Sequence, residues 1–225
     1  MTTSSRWLSF LFAIAATLVS VPKAWATTIP LGIGAFAGST LTSFTGLADG
    51  TEVNGLIVDG IQFSYSLGNG QVVIDGGPGV TNNIAPPNIV SIGNPAGMLT
   101  LLLPGFVDTF GYGYAILNTV AVANATTISL FNGATAVGSL SYNGVIDPTF
   151  TGGFAGIHST DVFNRVQITF SAAAPAFALD NIRTLSTGAA DVPEPTTLVL
   201  LGTGVLGMIR ARARRKGDRE SSKSR

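Results

Sequence analysis

The sequence predicts an all-β body, a single antiparallel β-sandwich of jelly-roll type, held between two apolar chain ends. Segments in which large apolar residues alternate with polar ones recur along the middle of the 225-residue chain. Turns rich in Gly and Pro separate them at short spacing, and no amphipathic helical period interrupts the series. One domain is expected, because the roughly 164 residues of the stretch 27–190 suffice for a real core.

At the N-terminus Arg6 supplies a sparse positive charge, residues 7–21 an apolar core, and Ala24-Trp25-Ala26 a small-x-small site before Thr27. That order reads as a secretory signal peptide over residues 1–26, with the Sec machinery and signal peptidase as its partners. A permanent anchor would need a longer apolar core than one that stops at Pro22 and Lys23.

In the body, Ile61, Phe63, Tyr65 and Leu67 alternate with Gln62, Ser64 and Ser66, so one face of that strand is wet. Phe110, Tyr112, Tyr114 and Ile116 share one parity, with Gly111 and Gly113 leaving the opposite face nearly bare. Val166, Ile168 and Phe170 repeat the pattern and put Arg165 on a solvated face. Further strands are expected near 27–33, 53–58, 71–74, 88–92, 98–103, 126–131, 134–141 and 176–184. Asn132-Gly133 tolerates positive φ at both positions and reads as the hairpin turn joining two antiparallel neighbours. Gly68-Asn69-Gly70, Gly76-Gly77-Pro78-Gly79, Ala85-Pro86-Pro87-Asn88 and Gly152-Gly153 read as loops.

Residues 191–225 are organised differently. Pro193 and Pro195 fix φ and remove two amide donors, which suits an extended approach to a helix starting near Thr196. Residues 196–209 carry no charge; at 1.5 Å per residue they give roughly 21 Å, short of a hydrocarbon core of about 30 Å. Ala211 and Ala213 extend the span to about 196–213 if Arg210 and Arg212 snorkel. Arg210, Arg212, Arg214, Arg215 and Lys216 then form a membrane stop that favours a cytoplasmic C-terminus.

The order Val192-Pro193-Glu194-Pro195, apolar helix and Arg-rich end resembles the C-terminal sorting signal of PEP-CTERM proteins, a region also called the ice-binding protein C-terminal domain. The resemblance implies recognition and processing near the motif by an exosortase-type membrane enzyme during export. The protein is thereby expected to cross the inner membrane, to be anchored transiently by its C-terminal helix, and to mature at the cell surface or outside the cell. Three divisions follow: signal peptide 1–26, body 27–190, and sorting signal 191–225. A looser similarity to the bodies of such proteins runs through Phe44 to Val53, Gly60-Ile61-Gln62-Phe63, Phe154-Ala155-Gly156-Ile157 and Leu179-Asp180-Asn181-Ile182. It implies a galactose-binding-like or related sandwich.

Formal neutrality of the whole chain hides unlike parts. Residues 210–225 hold eight cations against two carboxylates, whereas residues 27–190 hold two arginines against eight carboxylates and no lysine. A body of charge −6 repels phosphate, so nucleic-acid partners are excluded. Cysteine is absent, which removes disulfides, thiolate metal sites and cysteine nucleophiles.

Signals for chemistry are sparse. Gly202-Thr203-Gly204-Val205-Leu206-Gly207 fits G-x-G-x-x-G by letter but lies in the apolar tail, without the flanking strand a dinucleotide site needs. His158-Ser159-Thr160-Asp161 groups the only histidine with a hydroxyl and a carboxylate, but no G-x-S-x-G elbow presents a nucleophile. It reads as a polar loop, and one histidine without cysteine does not make a zinc site. No catalytic residue is assigned, and the protein is expected not to be an enzyme; a secreted hydrolase is a distant alternative.

One structural calcium ion is the sole cofactor expectation, with Asp49, Glu52 and Asp180 as ligands because they fall in the family-like segments. The competing reading is that Asp49 and Asp180 cap turns. Tyr112 and Tyr114 are candidate sugar-stacking residues, against the alternative that they edge the core. Ice binding would need a regular array that Thr40, Thr42, Thr45, Thr126 and Thr127 do not form. The functional expectation is a structural or adhesive protein of exopolysaccharide or biofilm, with extracellular polysaccharide as partner; a carbohydrate-binding module is the alternative.

Overall fold

Alternating polarity becomes eleven strands in the computed structural model, which describes residues 26–147 and 149–186. They are β1 (Thr28–Leu31), β2 (Thr40–Thr42), β3 (Ile57–Val58), β4 (Ile61–Tyr65), β5 (Val72–Asp75) and β6 (Asn88–Ser91). The longer ones follow: β7 (Leu99–Ile116), β8 (Val122–Asn132), β9 (Thr135–Asp147), β10 (Phe150–Phe170) and β11 (Phe177–Leu185). A 3-10 turn at Ile33–Phe36 is the one helical element among the described residues. No helix among them is long and apolar enough to cross a membrane. The expected signal peptide and C-terminal helix lie outside the described residues.

All pairings are antiparallel, and they join the strands into one sheet rather than the two separate sheets of the expected sandwich. Its order is β5-β6-β11-β7-β10-β8-β9, with β1 on β10, β2 on β11, and β4, carrying β3, on the side of β7 away from β10, in line with β11. The physical reason is the length of β7 and β10, 18 and 21 residues. They pair from Thr151↔Ile116 to His158↔Thr109, shift register around Phe163, and pair again from Arg165↔Leu102 to Ile168↔Leu99. β11 flanks the second half of β7, while β4 flanks the first half. β1 and β9 flank the start of β10, and β8 flanks its end.

The two halves share one core. Phe63, Leu99, Leu101, Ile128, Leu130, Val166 and Ile168 of one half belong to the same buried cluster as Phe110, Tyr112, Tyr114, Ile157 and Leu179 of the other. An aromatic train crosses it from Phe110 through Tyr112 and Tyr114 to Phe170, which stacks on Phe177 with ring centroids 4.1 Å apart.

Three local expectations are corrected. The two-residue hairpin turn is Gly133-Ala134, since Asn132 still pairs with Thr135 and only Gly133 has positive φ; glycine at the first central position is the type II′ requirement. Gly152-Gly153 lies inside β10, not in a loop, because a Cβ at Gly152 would sit 2.1 Å from the Tyr114 carbonyl oxygen of the adjacent strand. The glycine face of β7 is covered rather than bare: Phe36 and Phe154 close over Gly111, and the Asn83 carbonyl and Ile84 over Gly113. There the sheet is buried on both faces, as the unbroken burial from Asp108 to Ile116 records.

A methyl group at Gly113 would lie 2.2 Å from Asn83 O, whereas nothing lies within 4 Å of one at Gly105. Gly113→Ala should therefore lower unfolding free energy by about 1–3 kcal/mol in chemical denaturation. Gly105→Ala should stay within about 0.5 kcal/mol of the parent, and equal effects of the two would refute the backbone-approach account.

Candidate functional site

Sheet register brings both ends of the described body close together, beside the middles of β10 and β7. Thr28 pairs with Ser159, His158 with Thr109, and Thr109 with Leu185. The start of β1 and the end of β11 are thus three strand spacings apart, about 14 Å. The sorting motif Val192, Pro193, Glu194, Pro195 and the basic stop Arg210, Arg212, Arg214, Arg215, Lys216 lie outside the described residues.

Near those ends the only histidine finds partners other than its sequence neighbours. His158 Nδ1 lies 3.1 Å from Thr109 Oγ1 and 3.9 Å from Asp108 Oδ1, and Thr109 Oγ1 donates to Asp108 Oδ1 at 2.8 Å. The order is carboxylate, hydroxyl, imidazole. A hydrolase triad needs the imidazole in the middle, so that one nitrogen takes the hydroxyl proton while the carboxylate orients the other. Thr109 is also buried, leaving its hydroxyl no approach for a substrate. Ser159 is buried and accepts from the Asp161 amide at 3.2 Å, while Thr160 Oγ1 accepts from the Thr27 amide at 3.0 Å. The segment expected as a loop is strand β10.

The proposed calcium ligands do not converge. No group of three or more His, Asp or Glu side chains able to hold a metal forms among the described residues. Asp49 is exposed in a turn, and Glu52 sits at the β5 edge, where its carboxylate accepts from the Gly70 amide at 2.8 Å. Asp180 is buried on β11, two strands from β5, and accepts from the Ala85 amide at 3.2 Å. Asp147 similarly accepts from the Asn82 amide at 3.0 Å. These carboxylates tie down loops, the role short acidic side chains commonly take at turns.

Tyr112 and Tyr114 are core residues, 0% and 1% exposed, so neither ring offers a face to a sugar. Tyr112 shares a 2.5 Å hydrogen bond with Thr126, Tyr114 donates to the Asn143 carbonyl at 3.0 Å, and Tyr142 donates to that of Gly156 at 2.5 Å. Burial pushes the Tyr114 phenol up to about 12 and raises those of Tyr112 and Tyr142 as well, keeping all three neutral donors. The parity of the two tyrosines was legible, but which face is covered depends on register.

Two surfaces escaped the sequence reading. One is an apolar groove of about 280 Å³ lined by Val90, Ala115 and Ala178 together with Asp75 and Phe150. It forms because small residues on β7 and β11 lie side by side, as Ala178↔Ala115. The other is the outward face of the half-sheet around β10, where Arg165 stacks 4.4 Å above the Phe131 ring. Alternation around Val166 and Ile168 carried a signal for it, but its extent required the strand order.

Asp180 yields a pH test. Burial raises its pKa above the ordinary 3.8, partly opposed by the Asn181 and Ala85 amides, and its Oδ1 is buried without a partner. The folded state therefore holds its proton to higher pH than the unfolded chain. This group's contribution is fully present below about pH 3.8 and is lost as pH rises through the raised value. Unfolding titrations should show Asp180→Asn gaining stability relative to the parent between pH 3.5 and pH 7; a pH-independent difference would contradict the assignment. Tyr112→Ala should cost about 3–5 kcal/mol in the same assay, as a core deletion and not a surface change.

Neither a curated protein nor a solved structure matches the chain. Residues 191–216 match the family model described as the PEP-CTERM protein-sorting motif, at the position of the Pro-Glu-Pro run, apolar stretch and Arg cluster. Processing by an exosortase-type system, with export and C-terminal membrane anchoring, is what that motif implies, and the chain carries it over residues 191–216.

Proposed function

We propose that the protein is an exported, non-enzymatic component of the cell surface or extracellular matrix, with a structural or adhesive role in exopolysaccharide. The match of residues 191–216 to the sorting motif carries this reading. Three features of the body support it. Its two ends lie about three strand spacings apart, which suits a body held between an N-terminal export signal and a C-terminal tether. Its hydroxyl, imidazole and carboxylate groups stand in an order unsuited to acyl transfer, with the hydroxyl buried. Glu52, Asp147 and Asp180 are engaged with backbone amides, which argues against paired acid and base carboxylates. After removal of the ends, a body of charge −6 without lysine remains, stabilised by packing and sheet hydrogen bonds.

Intact-mass and terminal-peptide spectrometry on the protein from its native cells, combined with fractionation, tests this directly. The expected product begins at Thr27, ends near residues 192–195 and lies outside the cytoplasm. Recovery of an unprocessed chain from Met1 to Arg225 in the cytosol would overturn the proposal.

A further inference from the structure

Beneath the loop of residues 76–87, register sets three polar side chains in a row. Asp75 of β5 pairs with Asn88 of β6, and Asp180 of β11 pairs with Gly113 of β7. β6 and β11 pair at Ile89↔Leu179, so one residue further along the same antiparallel ladder Asn88 stands beside Asp180. In-register neighbours share a face of the sheet. Asp75, Asn88 and Asp180 therefore lie side by side over two strand spacings, about 10 Å.

Two of the three carry an oxygen left unsatisfied. Asn88 and Asp180 are 0% and 2% exposed, and Oδ1 of each is buried without a hydrogen-bond partner among the described residues. Their other polar atoms hold the loop: Asn88 Nδ2 donates to the Gly76 carbonyl at 3.5 Å, and Asp180 Oδ2 accepts from the Ala85 amide at 3.2 Å. The Asn83 carbonyl closes over Gly113, the next position in the row. At the other end Asp75 is half-buried and accepts from the Gly77 amide at 3.4 Å.

Among the described residues these two carboxylates meet no cationic side chain. Residues 27–190 hold no lysine; of the two arginines, Arg165 stacks on Phe131 and Arg183 donates to Ser39. A buried carboxylate oxygen with neither donor nor counter-ion is unfavourable, and in a body of charge −6 the missing partner is a cation. Oxygen donors alone, from carboxylates, an amide and loop carbonyls, make the ligand set that suits calcium, which tolerates irregular geometry better than magnesium does.

We propose that Asp75, Asn88 and Asp180 form a calcium site with the 76–87 loop, and that the ion clamps this loop onto β5, β6 and β11. Oδ1 of Asn88 and of Asp180 are its buried ligands, and Asp75 is the ligand nearest solvent. Of the set Asp49, Glu52 and Asp180 expected from sequence, Asp180 alone belongs here. The third side chain is an amide, so a search for clustered acids and histidines passes over the site.

Thermal unfolding and isothermal titration calorimetry of the mature protein from its native cells, stripped with EDTA, test the site. Calcium should bind once per chain with a Kd on the order of 10⁻⁴–10⁻³ M. At about 10 mM it should raise the melting temperature by roughly 3–10 °C over sodium chloride of equal ionic strength. Asp75→Asn should weaken binding by about tenfold or more, and Asp180→Asn should abolish it. Asp59→Asn, in the exposed β3–β4 turn, should bind as the parent does. In EDTA, Asp180→Asn should melt no lower than the parent, because it removes a buried charge, which separates a lost ligand from a damaged fold. If Asp180→Asn fails to fold, the half-buried Asp75→Asn carries the test. No calcium-dependent shift in the parent, or parent-like binding in the Asp75 or Asp180 variant, would overturn the site. A parent that ignores calcium and gains stability only on acidification would assign the two oxygens to a shared proton, and would overturn it equally.

Discussion

The antiparallel pairing of β7 with β10 governs the molecule. These strands pair at both of their ends and change register between them, so every other element hangs from one half of the pair or the other. Close approach is built in with glycine: Gly152 sits where a Cβ would touch the Tyr114 carbonyl, and Gly113 lies beneath the Asn83 backbone. Tight backbone contact on one side lets the opposite side of β7 carry a ladder of Phe110, Tyr112, Tyr114 and Ile116 through the centre of the core. The same geometry accounts for stability without disulfides, because one cluster joins both halves of the sheet.

Polar groups inside this frame do structural work. Asp180, Asp147 and Glu52 each reach from a strand or its edge to a loop amide, fixing segments that lack ladder bonds of their own. Tyr112, Tyr114 and Tyr142 bring hydroxyls to the rim of the core, where each meets a threonine or a carbonyl. The His158 contact with Thr109 and Asp108 belongs to the same class, a cross-strand link between β10 and β7.

Alternation made the strands around Phe63, Tyr112 and Ile168 legible, because period-two patterning is a local property. Glycine was harder to read. At Gly133 it marks a turn, at Gly152 it lies mid-strand, and only the neighbouring chain distinguishes the two uses. For the same reason the parity of Tyr112 and Tyr114 was legible and their burial was not: the face they occupy is closed by residues of the other half of the sheet, such as Ile128 and Val166, which come from distant sequence. Asp49, Glu52 and Asp180 shared a family-like pattern, yet strand order places Glu52 and Asp180 at different positions in the sheet. The sorting motif was fully legible because its meaning resides in linear order, which a scan of residues 191–216 recovers without any fold.

The closeness of the two body ends has a mechanical consequence. A load applied through both ends would act on one region of the sheet, where β1, β10, β7 and β11 lie side by side, and not across its whole length. The Gly133 hairpin lies on that same side, where Asn132 reaches Val162 and Gly133 reaches Asn164 just beyond Thr160, whereas the groove around Ala115 lies toward the far end of β7. The core does not depend on either end, since β1 and the last residues of β11 contribute little to the central packing.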